Sequence, residues 1–435
     1  MVRMPILLSL LLALPAAAQD NADRAAQLSE SVNADVIAWR RDIHQHPELG
    51  NREFRTAKIV ADELRKLGLD VKTGVAHTGV VGILRGGKPG PRIAIRADMD
   101  ALPVTEHNEL PFASKATAVF RGETVGVMHA CGHDSHTAML LGIAEALTSI
   151  KADLPGEVMF IFQPAEEGTP DNETGGAPQM LAEGIFTDFK PEAVFGMHVW
   201  APLNANQVGY RSGPTMAASD RFHIVVKGVQ THGALPWSGI DPIVTAADLI
   251  VTAQNIVSRR LNISKQPAVL TFGAIKGGIR YNIIPDSVDL IGTIRTFDPA
   301  MRQQVIDDLK SVSEHVAAAN GATVVTEIPD TRGNPMLVNN PALSARSRPS
   351  LERAAGAGNV IELPPQTGAE DFAYFANEVP SFYFFVGATP VGQDASIAPS
   401  NHSPKFFLDE AALPLGTRTM LQVVLDYLHG AKATP

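Results

Sequence analysis

VMFIFQPAEEG, residues 158–168, opens with five apolar residues and ends with two adjacent glutamates and a glycine. The apolar run is typical of a strand buried on both faces, because neither face then needs polar side chains. Similar runs occur at residues 193–197 and 382–386, and apolar residues recur at helical spacing over residues 137–150. Strands that alternate with helices in this way predict an α/β fold with a mostly parallel sheet.

The middle of the chain has a different order of elements. We expect strands at residues 220–227, 268–275, 287–296 and 322–328, and helices at residues 242–260 and 299–319. The order β-α-β-β-α-β is that of a split βαβ (ferredoxin-like) sandwich. We therefore predict a main α/β domain, residues 19–213 and 331–435, into which an α+β domain, residues 214–330, is inserted.

The first 18 residues have the three parts of a secretory signal peptide. Arg3 supplies a basic start, residues 6–14 are apolar, and the alanines at residues 16–18 offer a cleavage site. The apolar run is too short to span a bilayer, and no later segment is long and apolar enough to do so. We therefore expect a secreted or periplasmic protein, and the alternative is a buried N-terminal helix.

The overall composition excludes several classes of function. Hydrophobic residues make up 45% and charged residues 19% of the chain, as in a globular protein. The formal net charge is −10 and no run of Lys or Arg occurs, so we expect no nucleic-acid partner. Neither a G-x-S-x-G elbow nor a P-loop is present, which argues against a serine nucleophile and a bound nucleotide. A small-molecule substrate is expected instead.

MHACGHDSH, residues 128–136, contains the only cysteine of the chain, Cys131, two residues before His133. A single cysteine forms no intramolecular disulfide, so in an exported protein it needs another explanation. The thiol can be a small buried hydrophobe, but together with an imidazole it suits a transition metal such as zinc. A helix cannot direct both side chains at one ion, so we expect a loop entering a helix, with Asp134 or Ser135 as its cap.

Further candidate ligands follow the predicted strands. Asp98, the pair Glu166 and Glu167, and His198 each come just after a strand, and open α/β sheets form their sites at this edge. Two adjacent glutamates cannot point the same way, so one can bind metal while the other acts as a base toward metal-activated water. Taken singly, the pair fits a solvated loop, His198 a core histidine, and His402 a turn. Together they supply enough donors for two metal ions.

Several longer motifs resemble peptidase family M20, and within it the amidohydrolase branch of hippurate hydrolases, N-acyl-amino-acid amidohydrolases and plant auxin-conjugate hydrolases. The motifs are RRDIHQHPELG (residues 40–50), RADMDALP (96–103), MHACGHDSH (128–136), QPAEEG (163–168), GMH (196–198) and GAEDF (368–372). The resemblance implies that Glu166 is the general base. It also implies two divalent metal ions, zinc or manganese with cobalt or nickel as further options, whose ligands are Cys131, His133, Glu167, His198 and His402.

The resemblance further implies that the inserted domain is a lid and forms a homodimer. His232, Asn282 and Arg295 match lid residues that reach the substrate, often from the partner subunit. Arg295 can hold a carboxylate through two hydrogen bonds, although a surface arginine on a strand is the alternative. Trp237 stands where the branch often has a second histidine. The resemblance therefore does not say how this part of the lid contacts the substrate.

The position of Asp98 departs from the family pattern as well. In other M20 enzymes this acid orients a metal-binding histidine two residues earlier, but here the earlier residue is Arg96, so the role of Asp98 is open. His44 and His46 belong to the first motif, and we interpret them as structural.

The sequence thus predicts a binuclear metal-dependent amidohydrolase that cleaves N-acyl amino acids or small peptides. One alternative is a metal-containing protein that binds acylated amino acids without hydrolysis. Another is a structural zinc site. Such sites usually close with four ligands at short spacings, whereas these candidates are scattered from Cys131 to His402.

Overall fold

The computed structural model describes residues 16–430, apart from residues 172 and 332. Most of the predicted signal peptide therefore lies outside the described residues. The α-helices are α1 (Ala16–Gln45), α2 (Phe54–Lys66), α3 (His133–Ser149), α4 (Gly176–Ala182), α5 (Ile185–Phe189), α6 (Pro242–Asn255), α7 (Pro299–Ala319), α8 (Pro341–Ala355), α9 (Phe372–Glu378) and α10 (Ala412–Leu428). Among these helices, none combines the length and the hydrophobicity needed to cross a bilayer.

The strands are short to medium in length. They are β1 (Asp70–Val75), β2 (Gly79–Arg85), β3 (Lys88–Asp98), β4 (Thr117–Phe120), β5 (Glu123–Gly126), β6 (Pro155–Gln163), β7 (Ala193–Asn204), β8 (Val208–Tyr210), β9 (Gly213–Met216), β10 (Ala218–Lys227), β11 (Thr231–His232), β12 (Ala268–Gly277), β13 (Ile283–Ile284), β14 (Ser287–Thr296), β15 (Thr323–Glu327), β16 (Leu337–Asn339), β17 (Val360–Glu362) and β18 (Ser381–Thr389). The apolar runs of the sequence fall in β6, β7 and β18, as predicted.

The predicted α/β fold is confirmed by an eight-stranded sheet with the order β1-β2-β6-β3-β7-β18-β8-β17. Its central strands β6, β3, β7 and β18 run parallel to one another, as do β8 and β17. The pairs β1-β2, β2-β6 and β18-β8 are antiparallel. The sheet is therefore mostly parallel, with the antiparallel pairs on either side of the parallel centre.

Helices cover both faces of this sheet. Helices α1, α2, α3, α8 and α10 share one hydrophobic core with the first face, and α4, α5 and α9 share another with the second face. All nine residues of β18 are buried, which explains why the strand has no polar alternation. Because β7 continues past its pairing with β3, His198 lies at the same sheet edge as Asp98.

The inserted segment folds as a separate sheet with its own core. Strands β10, β12, β14 and β15 pair antiparallel in the order β12-β14-β10-β15, and α6 and α7 contribute to the core beneath them. Asp241 and Asp298 cap the two helices by accepting backbone N–H bonds, and a proline follows each cap. The predicted split βαβ order is confirmed, although the last five residues of the first predicted helix form a π-helical turn.

Two chain crossings join the inserted sheet to the main sheet. Strand β9 pairs with β16, and the backbones of Ser219 and Asn334 exchange hydrogen bonds of 2.9 and 3.0 Å. The Tyr374 hydroxyl donates to the Gly333 carbonyl over 2.6 Å. Arg332, within the second crossing, lies outside the described residues, and the domain limits at residues 213/214 and 330/331 stay predictions.

Candidate active site

The entrance to α3 brings Cys131 and His133 to one place. Gly132 between them has φ +93°, a left-handed conformation that side chains other than glycine rarely adopt. A Cβ at Gly132 would lie 2.2 Å from Val199 Cγ2, so the position has no room for a side chain. This turn is the loop-to-helix entry that the spacing predicted.

The predicted cap of α3 is wrong. Gly132 is the N-cap residue, and Asp134 and Ser135 lie inside the first turn. Asp134 instead accepts hydrogen bonds from Arg40 Nε and His44 Nδ1, each over 2.9 Å. The buried carboxylate therefore serves the contact between α1 and α3 rather than the helix end, and His44 has the structural role that we predicted.

Two more histidines face the Cys131 thiol. His198 Nε2 and His402 Nε2 each lie 3.3 Å from Cys131 Sγ. His402 Nε2 is also 2.9 Å from a carboxylate oxygen of Glu167. The five predicted metal ligands are thus brought together, although they come from four separate parts of the sequence.

Backbone carbonyls orient two of these imidazoles. His133 donates from Nδ1 to the Asp100 carbonyl over 2.9 Å, and His198 donates from Nδ1 to the Val199 carbonyl over 2.6 Å. Each ring therefore directs Nε2 toward the cluster, and a metal bound there would take the place of any proton on that nitrogen. His133 Nε2 is buried and has no hydrogen-bond partner among the described residues.

The donor set fits divalent transition metals. Cys131, His133 and His198 form one group whose donor atoms lie within 4.8 Å of one another, and Cys131, Glu167 and His402 form a second. Burial and the charge of Glu167 raise the pKa of the Cys131 thiol well above its usual value, so a thiolate here needs a compensating cation. Burial lowers the pKa of His133, but the charge of Asp98 outweighs it and raises the value to about 10.

The loop after β6 turns the two adjacent glutamates in different directions. Ala165 has φ +50° and donates its N–H to Glu53 over 2.8 Å, while the N–H of Glu167 donates to Asp100 over 2.9 Å. Glu167 reaches His402, whereas Glu166 accepts the Asp371 N–H over 3.3 Å. Glu166 also has a carboxylate oxygen within 4.8 Å of the donor atoms of His133 and Glu167, so its role as the base rather than a ligand stays a prediction.

Asp98 accepts a hydrogen bond from Arg96, the residue that stands two positions earlier in place of the family's metal-binding histidine. Arg96 Nη1 and His136 Nδ1 both donate to its carboxylate over 2.6 Å. His136 in turn accepts the Val199 N–H at Nε2 over 2.8 Å, so neither of its nitrogens is free for a metal. The charges of His133 and Arg96 overcome burial and hold the pKa of Asp98 well below its usual value.

The two acids of the motif at residues 368–372, to which the sequence assigns no role, are part of a buried hydrogen-bond network. Glu370 and Asp371 accept hydrogen bonds from Arg96 over 2.9 and 3.0 Å, and Tyr383 donates to Glu370 over 2.7 Å. Asn401 was missed altogether. Its amide donates to the carbonyls of Cys131 and Val199, each over 3.1 Å, and so ties the His402 loop to the site.

The ligand cluster opens into a cavity of about 420 Å³. Its walls include Glu166 from the loop after β6, Trp200 from β7 and Met216 from β9. Arg295 on β14 of the inserted sheet completes them. Arg295 pairs across the sheet with Ser219, which also lines the cavity. None of the described residues forms a hydrogen bond or ion pair with the half-buried Arg295 guanidinium, and burial lowers its pKa.

Two predicted lid residues do not reach this cavity. His232 and Asn282 are absent from its lining. The backbone carbonyl of Asn282 instead accepts a hydrogen bond from the Gly233 N–H over 2.9 Å. Trp237 is 78% exposed and also lies outside the lining. Within one copy of the chain, only Arg295 of the three predicted lid residues faces the candidate ligands.

A sheet edge that collects sulfur, nitrogen and carboxylate donors beside a free glutamate defines the class of metal-dependent hydrolases. Residues 94–426 match the family described as Peptidase family M20/M25/M40, and the chain belongs to this family. The resemblance that the motifs indicated is thereby confirmed.

Individual relatives support the same class. Thermostable carboxypeptidase 2 of Saccharolobus solfataricus is 40% identical over 88% of this chain and 92% of its own. N-acetyl-L-cysteine deacetylase of Bacillus subtilis is 39% identical over 87% of this chain and 84% of its own. The YXEP protein of Bacillus subtilis, described as a dinuclear metal binding peptidase, superposes with a TM-score of 0.73 at 33% identity and covers 92% of this chain and 99% of its own. The prediction that the chain is an M20 hydrolase is confirmed.

Proposed function

We propose that this protein releases an amino acid from an N-acyl amino acid or a small peptide by hydrolysis of the amide bond. The observation that carries the proposal is the unpaired Arg295 guanidinium, which lines the same cavity as Glu166 and the predicted metal ligands. A guanidinium without a partner suits a substrate carboxylate, which it can bind through two hydrogen bonds. Two relatives are named a carboxypeptidase and a deacetylase, and both names describe hydrolysis of an amide bond.

We propose that two divalent ions, zinc or manganese with cobalt or nickel as further options, are held by the five donors. The sharing of Cys131 between two donor groups supports two neighbouring ions, as does the dinuclear description of the YXEP relative. Bound ions of this kind polarise an amide carbonyl and make water more acidic. Mixed sulfur, nitrogen and oxygen donors accept any of the four metals.

Glu166 has the surroundings that a general base needs. Burial and the charges of Glu370 and Glu167 raise its pKa well above the usual value, and the charge of bound metal ions would lower it again. Between these opposing effects the carboxylate can take a proton from water and hold it. As the carbon–oxygen bond forms and the carbon–nitrogen bond breaks, Glu166 hands this proton to the leaving amine. Arg295 meanwhile holds the carboxylate of the amino-acid half. The non-catalytic alternative is not favoured, because both the base and the full donor set are present.

Metal removal tests this function. Dialysis against a chelator is expected to lower amine release from a panel of N-acyl amino acids and dipeptides about 100-fold or more, because the ions contribute several kcal/mol to catalysis. Adding back zinc, manganese, cobalt or nickel should restore it, and the best metal is read from the recovered rate. Full activity of protein shown to be metal-free by mass spectrometry would contradict the proposal.

We also propose a homodimer formed through the inserted domain. Strand β12 is an edge strand, and apolar side chains near it are solvent-exposed: Ile275 is 61%, Ile279 98% and Tyr281 95% exposed. Long apolar edges of this kind are usually covered by another chain. In such a dimer His232 and Asn282 serve the site of the second copy, which agrees with their distance from the cavity of their own chain.

Light scattering tests the dimer. The wild-type protein is expected to have twice the mass of one chain, and Ile275→Lys should shift it toward the monomer because the lysine would be buried without a partner. Val119→Lys is the matched control, since Val119 is equally exposed but lies on a hairpin outside the inserted domain. A monomeric wild type at micromolar concentration would refute the dimer.

Finally, we propose export through the N-terminal residues 1–18, on the support of their three-part pattern. The intact mass of protein recovered from the periplasm or the medium should lack these residues. Protein that keeps them and stays in the cytoplasm would contradict export.

A further inference from the structure

A second cavity, of about 440 Å³, adjoins the first. The two cavities share Glu166 and Asn334, but the second contains none of the predicted metal ligands. Its walls come from the loop after β6, from α4 and from Arg121. Glu166 therefore stands between a cavity with the ligand cluster and a cavity without it, so a substrate that reaches the base can extend into either.

Arg121 lies at the tip of the hairpin formed by β4 and β5. Phe120 pairs with Glu123, which leaves Arg121 and Gly122 as a two-residue turn, and their φ values are +52° and +84°. Positive φ at both positions is the type I′ turn. Ala118 and Phe120 pack against a small core that contains Leu49, so the base of the hairpin is anchored and its tip is held beside the cavity.

An arginine is an unfavourable residue for this turn. Type I′ turns prefer Asn-Gly, because asparagine tolerates the left-handed conformation better than a long side chain does. The backbone of Arg121 is thus held in a strained region at the rim of a catalytic cavity. Strain of this kind, once observed, is a reason to look for a function of the side chain.

The charges around the second cavity leave Arg121 as the available cation. Glu173 is bound by Arg52, and these hydrogen bonds, with one from Asn51, lower its pKa to about 2. Asp371 is bound by Arg96 over 3.0 Å. The Arg121 side chain is exposed, its guanidinium lies 5.1 Å from the centre of the Phe120 ring, and no described residue forms an ion pair with it.

The remaining walls mix polar and apolar groups. Thr169, Thr174 and Gln179 offer hydroxyl and amide groups, and Ala165 and Pro178 offer apolar surface for the methylene part of an acyl chain. A chain that ends in an acidic group gains a charge-assisted hydrogen bond from Arg121.

We propose that the second cavity receives the acyl half of the substrate and that Arg121 binds a carboxylate at its far end. The preferred substrates are then amino acids acylated by a dicarboxylic acid, such as N-succinyl or N-glutaryl amino acids. This inference rests on the proposed function, in which Arg295 holds the carboxylate of the amino-acid half in the first cavity. The half that extends past Glu166 is then the acyl half, and an arginine meets each end of a dianionic substrate.

Three substrates with the same amino acid test the inference: N-acetyl, N-succinyl and the monomethyl ester of N-succinyl, which is neutral at the acyl end. The variant is Arg121→Asn, since Asn-Gly is the preferred type I′ turn and keeps the hairpin folded. We expect the kcat/KM ratio of the succinyl to the methyl-succinyl substrate to fall about tenfold or more in the variant, as for the loss of a charged hydrogen bond. N-acetyl hydrolysis and the melting temperature should not fall.

Two further variants make the comparison specific. Arg121→Lys keeps the charge without the planar fork and should retain part of the preference. Glu123→Gln alters a charge on the same hairpin that does not line the cavity, and it should leave the ratio unchanged.

The outcomes separate this inference from the proposed function. An unchanged ratio in Arg121→Asn, with N-acetyl hydrolysis intact, would overturn the role of Arg121 and leave the hydrolase standing. An equal loss on all three substrates would also overturn it, because the residue would then support the fold and not the acyl end. A wild-type protein that releases amine from none of them would overturn the proposed function and this inference with it.

Discussion

Replacement of Glu166 by glutamine is expected to lower kcat for amide hydrolysis by about 10³-fold or more, at the upper end of what a general base contributes. Glutamine has the same shape and can still meet the Asp371 N–H through its carbonyl oxygen, but it cannot take a proton from water and pass it to an amine. Since Glu166 is not among the five predicted metal ligands, the metal content should not change. Steady-state amine release and elemental analysis of the same sample measure the two quantities.

Two other glutamates make the result specific. Glu167→Gln is expected to lower both activity and metal content, because this carboxylate belongs to a donor group with Cys131 and His402. Glu157→Gln on β6 removes only a partly exposed ion pair with Arg92 and should change neither. Turnover within tenfold of the wild type in Glu166→Gln would show that another group is the base.

The secondary structure near the site could be predicted because its signals are local. An apolar run such as residues 158–162 can be buried on both faces without reference to distant parts of the chain, and it became the strand β6. The caps Asp241 and Asp298 likewise act within three residues of themselves. By contrast, the three-residue strands β8 and β17 at one margin of the sheet have too few residues to show any period.

The candidate site was predictable in its residue types more than in its geometry. Thiol, imidazole and carboxylate groups after buried strands indicate metal chemistry wherever they occur, and the five predicted ligands do meet. The N-terminal cap of α3 was misassigned because the capping residue is Gly132, where Val199, 67 positions further on, leaves no room for a side chain. His232 and Asn282 were expected near the substrate, but a sequence motif does not state which copy of the chain a residue serves.

The network around Arg96 shows most clearly what local patterns cannot reveal. Its guanidinium is fully buried and contacts Asp98 two positions away, but also Glu370 and Asp371, 274 and 275 positions away. From its position on a strand, Arg96 could equally have faced solvent. The structure shows that it balances three buried carboxylates behind the base Glu166.

Arg96→Gln is therefore expected to lower the free energy of unfolding by about 3–5 kcal/mol, the usual effect of removing one partner from a buried ion pair. Glutamine can replace at most one or two of the hydrogen bonds and none of the charge. Urea unfolding followed by circular dichroism measures the change. Arg92→Gln is the matched control on the same strand, because Arg92 is exposed and its bond to Glu157 should be worth about 1 kcal/mol or less.

The pH dependence distinguishes lost charge balance from lost packing. Burial raises the pKa of Asp371 to about 7 although Arg96 opposes it, so loss of Arg96 should raise this pKa further above its value in the unfolded state. Between those values the unfolded chain binds fewer protons, so the stability of the variant falls as the pH rises. The gap between wild type and Arg96→Gln should then widen from about pH 7 upward, where the Asp371 carboxyl of the wild type has lost its proton and that of the variant has not. A gap that stays constant over this range would mean that the guanidinium acts through packing alone, and that the three carboxylates do not depend on its charge.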